Sequence, residues 1–347
     1  MVIVTRIAVL TGGGDAPGLN AVIQGIVTKA TEYGYEVFGV PKGYEGLIEG
    51  VFKPLKLEDV EDIYKIGGTI LKTSRTNPCK TADDAKKALD NVRKSKIDVL
   101  IAIGGEDTLG AANKLLKDGM PVIGVPKTID NDLSETDYSI GFQTAASIAA
   151  ESVEHLHTTA KSHERVLVVE IMGRHAGWIT LYAGLAGGAH VILLPEQPFD
   201  IEAICEVVKK RDERGKNYTI IAASEGAKPK DAKDLITATA ELDEYGHIRL
   251  GGIGEVLAKE IEKRTGKETR HVVLGHLQRS GAPIPFDRVL GLRLGVHAAK
   301  LAKEKKFGYA ASLSGTRIVT VKIDDLVKEL KTVDKDLFEL TELFSAV

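Results

Sequence analysis

Short apolar runs alternate along this chain with stretches of helical periodicity. The runs Arg6–Leu10, Glu36–Val40, Asp98–Ile103, Pro121–Val125, Val166–Ile171, His190–Leu194, Tyr218–Ala223 and His271–Leu274 read as strands. Most are continuously apolar, as in Val99-Leu100-Ile101-Ala102-Ile103, which suits strands buried on both faces of a parallel sheet. Between them, Thr81 with Asp84 three residues on signals a capped helix start, and Ala85, Ala88, Leu89 and Val92 form its apolar stripe. A longer stripe runs through Phe142, Ala145, Ala146, Ala149, Val153 and Leu156. The alternation predicts an α/β protein of two doubly wound lobes with largely parallel sheets and right-handed crossovers. Ligands in such folds bind at the carboxyl ends of strands. The polar stretch Lys228–Glu255 reads as an insertion or mobile flap. The charged, helix-like segment after Val321 offers Leu326, Leu330 and Leu337 as docking residues.

Composition narrows this picture. A chain of 347 residues, 43% hydrophobic and 27% charged, fits two packed lobes of a globular protein. Many of its 36 glycines cluster at strand ends, which points to ligand loops. Net charge is -3 and aromatic content 5%, so neither a nucleic-acid footprint nor an anionic-membrane binder is expected. Cys79 and Cys205 form no CxxC pair, which suggests a reducing compartment and no structural metal. The opening MVIVTRIAVLTGGG has no cleavage pattern, and no apolar run reaches membrane-spanning length; a cytoplasmic protein is expected.

The chemistry sits where the strands end. The first strand runs into Thr11-Gly12-Gly13-Gly14-Asp15-Ala16-Pro17-Gly18-Leu19-Asn20 and then a helix. Glycines there let backbone N–H groups approach a phosphate beside the positive end of a helix. A tight turn without ligand is the competing reading, and the spacing fits neither the dinucleotide fingerprint nor the Walker loop. A second pair, Gly104-Gly105, is followed by Glu106 and Asp107. Acids at that point either cap the helix or hold Mg²⁺ beside phosphate oxygens. The next strand ends in Pro126-Lys127-Thr128-Ile129-Asp130-Asn131-Asp132, a poor surface turn but a workable catalytic one. A carboxylate can take a proton from an attacking hydroxyl, and a lysine can neutralise a phosphoryl group in transit. Arg75, Arg165, Arg174, Arg270, His276 and Arg279 recur near later strand ends. Singly each is a solvated charge, and together they form a phosphate-gripping set.

Gly-Gly-Asp-Ala-Pro-Gly-Leu-Asn (13–20), Thr-Ile-Asp-Asn-Asp (128–132), Met-Gly-Arg (172–174) and Leu-Gly-His-Leu-Gln-Arg (274–279) together resemble the phosphofructokinase family, in that family's order, from about Arg6 to Gly295. The resemblance implies a phosphofructokinase-like fold. Residues 1–141 with 278–320 would form a donor lobe, and 142–277 with the tail 321–347 a sugar-phosphate lobe. It implies Asp130 as the base at the sugar 1-hydroxyl, with Lys127 and Arg174 stabilising the moving phosphoryl group. Gly13, Gly14, Arg75, Gly105 and Asp107 would meet the donor, and Glu106 would hold Mg²⁺. Thr128, Asp132, Met172, Gly173, Glu225, His276 and Arg279 would line the sugar-phosphate pocket. Arg165 and Arg270 would reach the neighbouring site in a homo-oligomer, at least a dimer. The substrates implied are fructose 6-phosphate and a phosphoryl donor.

Two positions speak to that donor. ATP-using members typically carry Gly after the metal-site acid; here Asp107 would crowd and repel an α-phosphate. Lys127 stands where Gly is frequent in those enzymes. The pair resembles the pyrophosphate-dependent branch, with an ATP-dependent enzyme as the alternative. A non-catalytic sugar-phosphate sensor is the reading from another class, and Asp130 speaks against it. A dinucleotide oxidoreductase is disfavoured by the missing fingerprint. Gln24 and Thr28 stand where regulated bacterial relatives have effector-binding arginines, so little effector regulation is expected. Tyr44, Trp178 and the histidines His155, His157, His163, His190 and His247 read as packing or surface residues.

Overall fold

The computed structural model describes residues 5–230, 237–242, 245–246 and 248–344. The strands are β1 (Arg6–Thr11), β2 (Glu36–Val40), β3 (Lys53–Leu55), β4 (Val99–Gly104), β5 (Val122–Thr128), β6 (Ile140–Gly141), β7 (Val166–Ile171), β8 (Val191–Leu193), β9 (Thr219–Ser224), β10 (Thr237–Leu242), β11 (Ile248–Leu250), β12 (Thr269–Val273), β13 (Tyr309–Ser314) and β14 (Arg317–Lys322). Every apolar run of the sequence forms a strand at or within three residues of its expected bounds. The apolar stripes form helices Ala82–Lys94 and Phe142–His163. Thr81 Oγ1 accepts the Asp84 N–H at 3.1 Å, the expected cap.

Twelve of the strands form two main sheets, as expected, and β10 with β11 forms a two-stranded ribbon. The larger runs β14-β13-β5-β4-β1-β2-β3, with β6 beside β5; the smaller runs β12-β7-β9-β8. All pairings in the smaller sheet are parallel, and antiparallel pairing in the larger is confined to its two edges. Buried β-branched strands need cover on both faces, and alternation supplies it. Ile7 and Val9 face helices Leu19–Glu32 and Pro285–Lys303, while Ala8 and Leu10 face the layer with Tyr44, Val92 and Leu109. In the smaller sheet Val169 and Ile171 face Phe142 and Ile179, and Val166 and Val168 face Ile204 and Leu257.

The helix that leaves the first glycine loop is seated without slack. A Cβ at Gly295 would lie 2.2 Å from the Val22 carbonyl oxygen, and one at Gly25 2.5 Å from that of Leu292. Helices Leu19–Glu32 and Pro285–Lys303 therefore touch backbone to backbone.

Three features depart from the expected organisation. β13 and β14 extend the larger sheet by an antiparallel hairpin. The expected boundary at residue 320 runs through β14, and Ile323 and Leu326 bury in the larger lobe's core. Val333 and the helix Lys335–Phe344, through Leu337 and Phe338, pack on the smaller lobe's core. Leu330 is largely exposed and bridges to Leu133 through its backbone. Third, β10 and β11 pair antiparallel inside the segment read as a flap; residues 231–236, 243–244 and 247 of that segment, including His247, lie outside the described residues. Tyr44 is buried and donates its hydroxyl to Thr108 O at 2.7 Å, a packing role. Trp178 is buried at the start of helix Trp178–Ala186.

Candidate active site

A cavity of about 480 Å³ opens where β1, β4 and β5 end, facing the loops that follow β7, β9 and β12. One wall holds Gly13, Gly14, Arg75, Gly105, Glu106 and Asp107; Lys127, Thr128, Asp130 and Asp132 follow β5; Met172, Arg174, Glu225, His276 and Arg279 complete the lining. Three predicted residues lie outside this lining. Gly173 sits behind it, its N–H on Glu225 Oε1 at 3.3 Å. Arg165 and Arg270 meet each other at Glu268, with N–O distances of 3.2 and 2.8 Å. Thr108, Tyr245 and Leu250 line the cavity unforeseen. Tyr245 reaches it from the loop between β10 and β11 and donates its hydroxyl to Thr76 O at 3.0 Å, across 169 residues of chain. No local pattern in the sequence announces such a contact.

The glycine loops are shaped by what packs into them. Thr108 fills the space at Gly12 and Gly104, where a Cβ would lie 2.6 and 2.3 Å from it. Arg279 lies over Gly14, 2.8 Å from where a Cβ would stand, and donates to Asp15 O at 3.1 Å. The segment before Arg75 braces the same loop: Thr73 Oγ1 donates to Gly13 O at 2.6 Å, and Gly13 N to Ser74 O at 3.1 Å. Lys127 is buried and donates from Nζ to Gly12 O at 2.9 Å and Gly14 O at 2.5 Å. An ammonium has a third donor, and this one belongs to a side chain lining the cavity. Burial and the nearby Arg279 guanidinium bring Lys127 down to about 7, while Asp15 and Asp130 pull the other way.

The acids are under stress of a different kind. Asp130 Oδ1 and Asp132 Oδ1 are buried without a hydrogen-bond partner among the described residues. Burial, followed by the charge of Asp130, pushes Asp132 up to about 7; Arg174 opposes and Glu106 adds to the push. Glu225 rises to about 7 for the same two leading reasons, although the N–H groups of Arg174 and Gly173 stabilise its carboxylate. Two non-glycine residues here hold left-handed backbone, Asn131 at φ +53° and Arg174 at φ +52°. Asn131 suits it, since Oδ1 accepts Ser139 N–H at 3.0 Å. Arg174 gains no such local bond from its side chain type, and its conformation is a strained one held by Glu225.

Among the described residues no group of three or more His, Cys, Asp or Glu forms a metal cage. Mg²⁺ does not need one, because it takes one or two carboxylates and completes its shell with water and phosphate oxygens. Glu106, close enough to raise Asp132, and the orphaned oxygens of Asp130 and Asp132 form a donor set that fits such an ion. No helix among the described residues is long and apolar enough to cross a membrane.

Glycine loops at strand ends, a buried lysine and stressed carboxylates in one cleft define an α/β phosphotransferase. The phosphofructokinase family model matches residues 6–302. A pyrophosphate–fructose 6-phosphate 1-phosphotransferase of Streptomyces coelicolor is 52% identical over 98% of this chain and 99% of its own. An ATP-dependent 6-phosphofructokinase of the same organism is 48% identical over 97% and 99%. The crystal structure of Pichia pastoris phosphofructokinase in the T-state superposes with a TM-score of 0.82 at 31% identity, over 94% of this chain and 36% of that much longer one. The chain belongs to the phosphofructokinase family, as its motifs implied.

Proposed function

We propose that this protein transfers a phosphoryl group from pyrophosphate to the 1-hydroxyl of fructose 6-phosphate, giving fructose 1,6-bisphosphate and phosphate. The observation that carries the reading is Lys127, buried between two carbonyls of the glycine loop and opening onto the same cavity as Asp130. A compact cation so fixed suits a short, highly charged donor. Asp107 on the same wall disfavours the extra phosphate of a nucleotide. Relatives named for pyrophosphate use stand at 50–53% identity, and those named for ATP at 47–48%.

In this reading Asp130 accepts the proton of the 1-hydroxyl as O1 bonds to phosphorus and the bridging P–O bond of pyrophosphate breaks. Burial, followed by the charge of Asp130, raises the proton affinity of Asp132 beside it. Lys127 and Arg174 stabilise charge on the group in transit. Arg75, Gly13, Gly14 and Gly105 cradle the donor. Thr128, Met172, Glu225, His276 and Arg279 orient the sugar phosphate. Mg²⁺, held by Glu106 and phosphate oxygens, would supply charge neutralisation. Donor and product ester have similar transfer potential, so the reaction runs in both directions. Arg165 and Arg270 stand together outside their own cavity, which supports a homo-oligomer, at least a dimer, in which they serve the neighbouring one. The protein works in the cytoplasm on this reading.

The ATP-dependent alternative rests on those 47–48% identical relatives. Steady-state formation of fructose 1,6-bisphosphate with Mg²⁺, comparing the two donors, separates the readings. Turnover with pyrophosphate and little with ATP is expected. Turnover with ATP alone would overturn the assignment to Lys127 and Asp107. Sugar-phosphate binding without turnover would favour a sensor.

A further inference from the structure

The loop that carries Asp130 and Asp132 is also held from a direction the motifs do not reveal. Residues 326–333 return from the edge of the larger sheet and run along this loop. Ser134 donates its N–H to Leu326 O at 3.2 Å and its hydroxyl to Glu329 O at 2.7 Å. Lys331 follows, with contacts on both sides. Toward the loop, its main-chain N–H donates to Asp132 O at 2.9 Å, and its ammonium donates to the carbonyls of Thr136 at 2.8 Å and Asp137 at 2.7 Å. Asn131, the left-handed residue between the two acids, donates to the same Asp137 carbonyl at 3.2 Å. Toward the smaller lobe, Lys331 O accepts the Trp178 indole N–H at 3.0 Å, and the ammonium lies 5.1 Å from a ring centroid of that indole. Trp178 opens the helix that follows the Met172–Arg174 loop. Two residues on, Val333 N–H and Gly177 N–H share Glu196 Oε1 at 3.0 and 2.8 Å.

We propose that Lys331 is a positioning residue for phosphoryl transfer, locking the Asp130–Asp132 loop to the lobe that carries Arg174. The proposal rests on the reading of Asp130 as the base. Its three contacts to the loop are backbone contacts at residues 132, 136 and 137, which bracket the turn and leave the acid side chains to the cavity. A half-buried ammonium shared between two carbonyls and an indole face is held in place by all of them at once. Loosening it shifts the base relative to the hydroxyl without removing any group that meets a ligand. The rate constant for turnover should therefore suffer, and the affinities should not.

The test uses the full-length chain, with Lys331→Met and Lys331→Arg assayed at varied fructose 6-phosphate and pyrophosphate. Trp178 is the sole tryptophan, so its emission reports the segment 326–333 directly. For Lys331→Met, kcat should fall about 10–100-fold, the price of a reacting group displaced by about an ångström. Both KM values should stay within about twofold, and Trp178 emission should change. Lys331→Arg, whose fork can donate to two carbonyls and stack on the indole, should recover most of kcat. Wild-type kcat in Lys331→Met overturns the proposal. So does a loss of kcat that only tracks the unfolded fraction measured by thermal melting, or one matched by a rise in KM. Asp130→Asn serves as the control: if it turns over normally, the reading of the base has failed, independently of Lys331.

Discussion

Buried acids occupy two kinds of place in this molecule. At the seams between elements, Asp287 accepts the N–H groups of Gly141 and Thr144 at 3.0 and 2.8 Å and the Thr144 hydroxyl at 2.6 Å, at the start of helix Phe142–His163. Glu170 does the same for helix Ile253–Thr265, accepting the N–H groups of Gly252 and Gly254 at 3.1 and 2.8 Å. In the cavity, Asp130 and Asp132 each keep one buried oxygen without a partner among the described residues. Burial alone does not mark a working carboxylate, since all four are buried or nearly so. The difference is satisfaction. An acid whose oxygens are spent on helix N–H groups stabilises the fold, and one whose oxygens face a cavity unspent is poised for a ligand.

The sharpest way to break this comparison is to neutralise one acid of each kind. Asp130→Asn should lower turnover by about 10³-fold or more, with sugar-phosphate binding and melting temperature near wild type. Steady-state rates and calorimetric titration check both halves. Asp287→Ala should do the reverse. It strands two N–H groups and a hydroxyl at a helix start, which costs about 3 kcal/mol of stability in a denaturant titration, while kcat per folded molecule stays within about twofold.

A finer test asks whether the cavity acids burden the fold. Asp132 is raised to about 7 from an ordinary value of 3.8, so between those pH values the folded state holds a proton that the unfolded chain has lost. Stability from this group is full below about pH 4 and lost as pH rises through about 7. Asp132→Asn should therefore raise stability by about 1–2 kcal/mol at pH 8 and leave it nearly unchanged at pH 4, while lowering activity. Thermal melts at the two pH values decide this. A further test concerns Lys127, brought down to about 7. Its ammonium grips the donor only while protonated, so kcat/KM for pyrophosphate should fall above about pH 7, by up to tenfold per unit. A profile flat to pH 9 would show that Lys127 stays charged in the free enzyme.

The same contrast explains what was readable in the sequence. Strands of β-branched residues such as Val166–Ile171 announce themselves, because burial on both faces demands that composition. β13 does not. Its Tyr-Ala-Ala-Ser-Leu-Ser becomes a strand only because β5 and β14 flank it, with Ala310 and Ala311 fully buried between covering helices. Site residues adjoining strand ends were legible, since strand-end loops in this fold class converge. Tyr245, Leu250 and Lys331 were not, because each reaches the site's surroundings through tertiary contacts that no local pattern encodes. Arg165 and Arg270 read as residues of a neighbouring site, and they pair with Glu268 outside the cavity of their own chain.

The position of β5 has a consequence for how the protein is made. It pairs with β4 on one side and β13 on the other, and it carries Lys127 into the site. On a ribosome β4 is already present when β5 emerges, but β13 follows only after the whole smaller sheet has been synthesised. Until then β6 covers only Lys127 and Thr128, the rest of that edge of β5 is open, and residues 326–333, which contact Asp132, do not exist. A nascent chain must wait, exposed to wrong pairing, and cannot spend its substrates early. Chaperone dependence during synthesis and the onset of activity should thus share one late event, the arrival of the hairpin at residues 309–322.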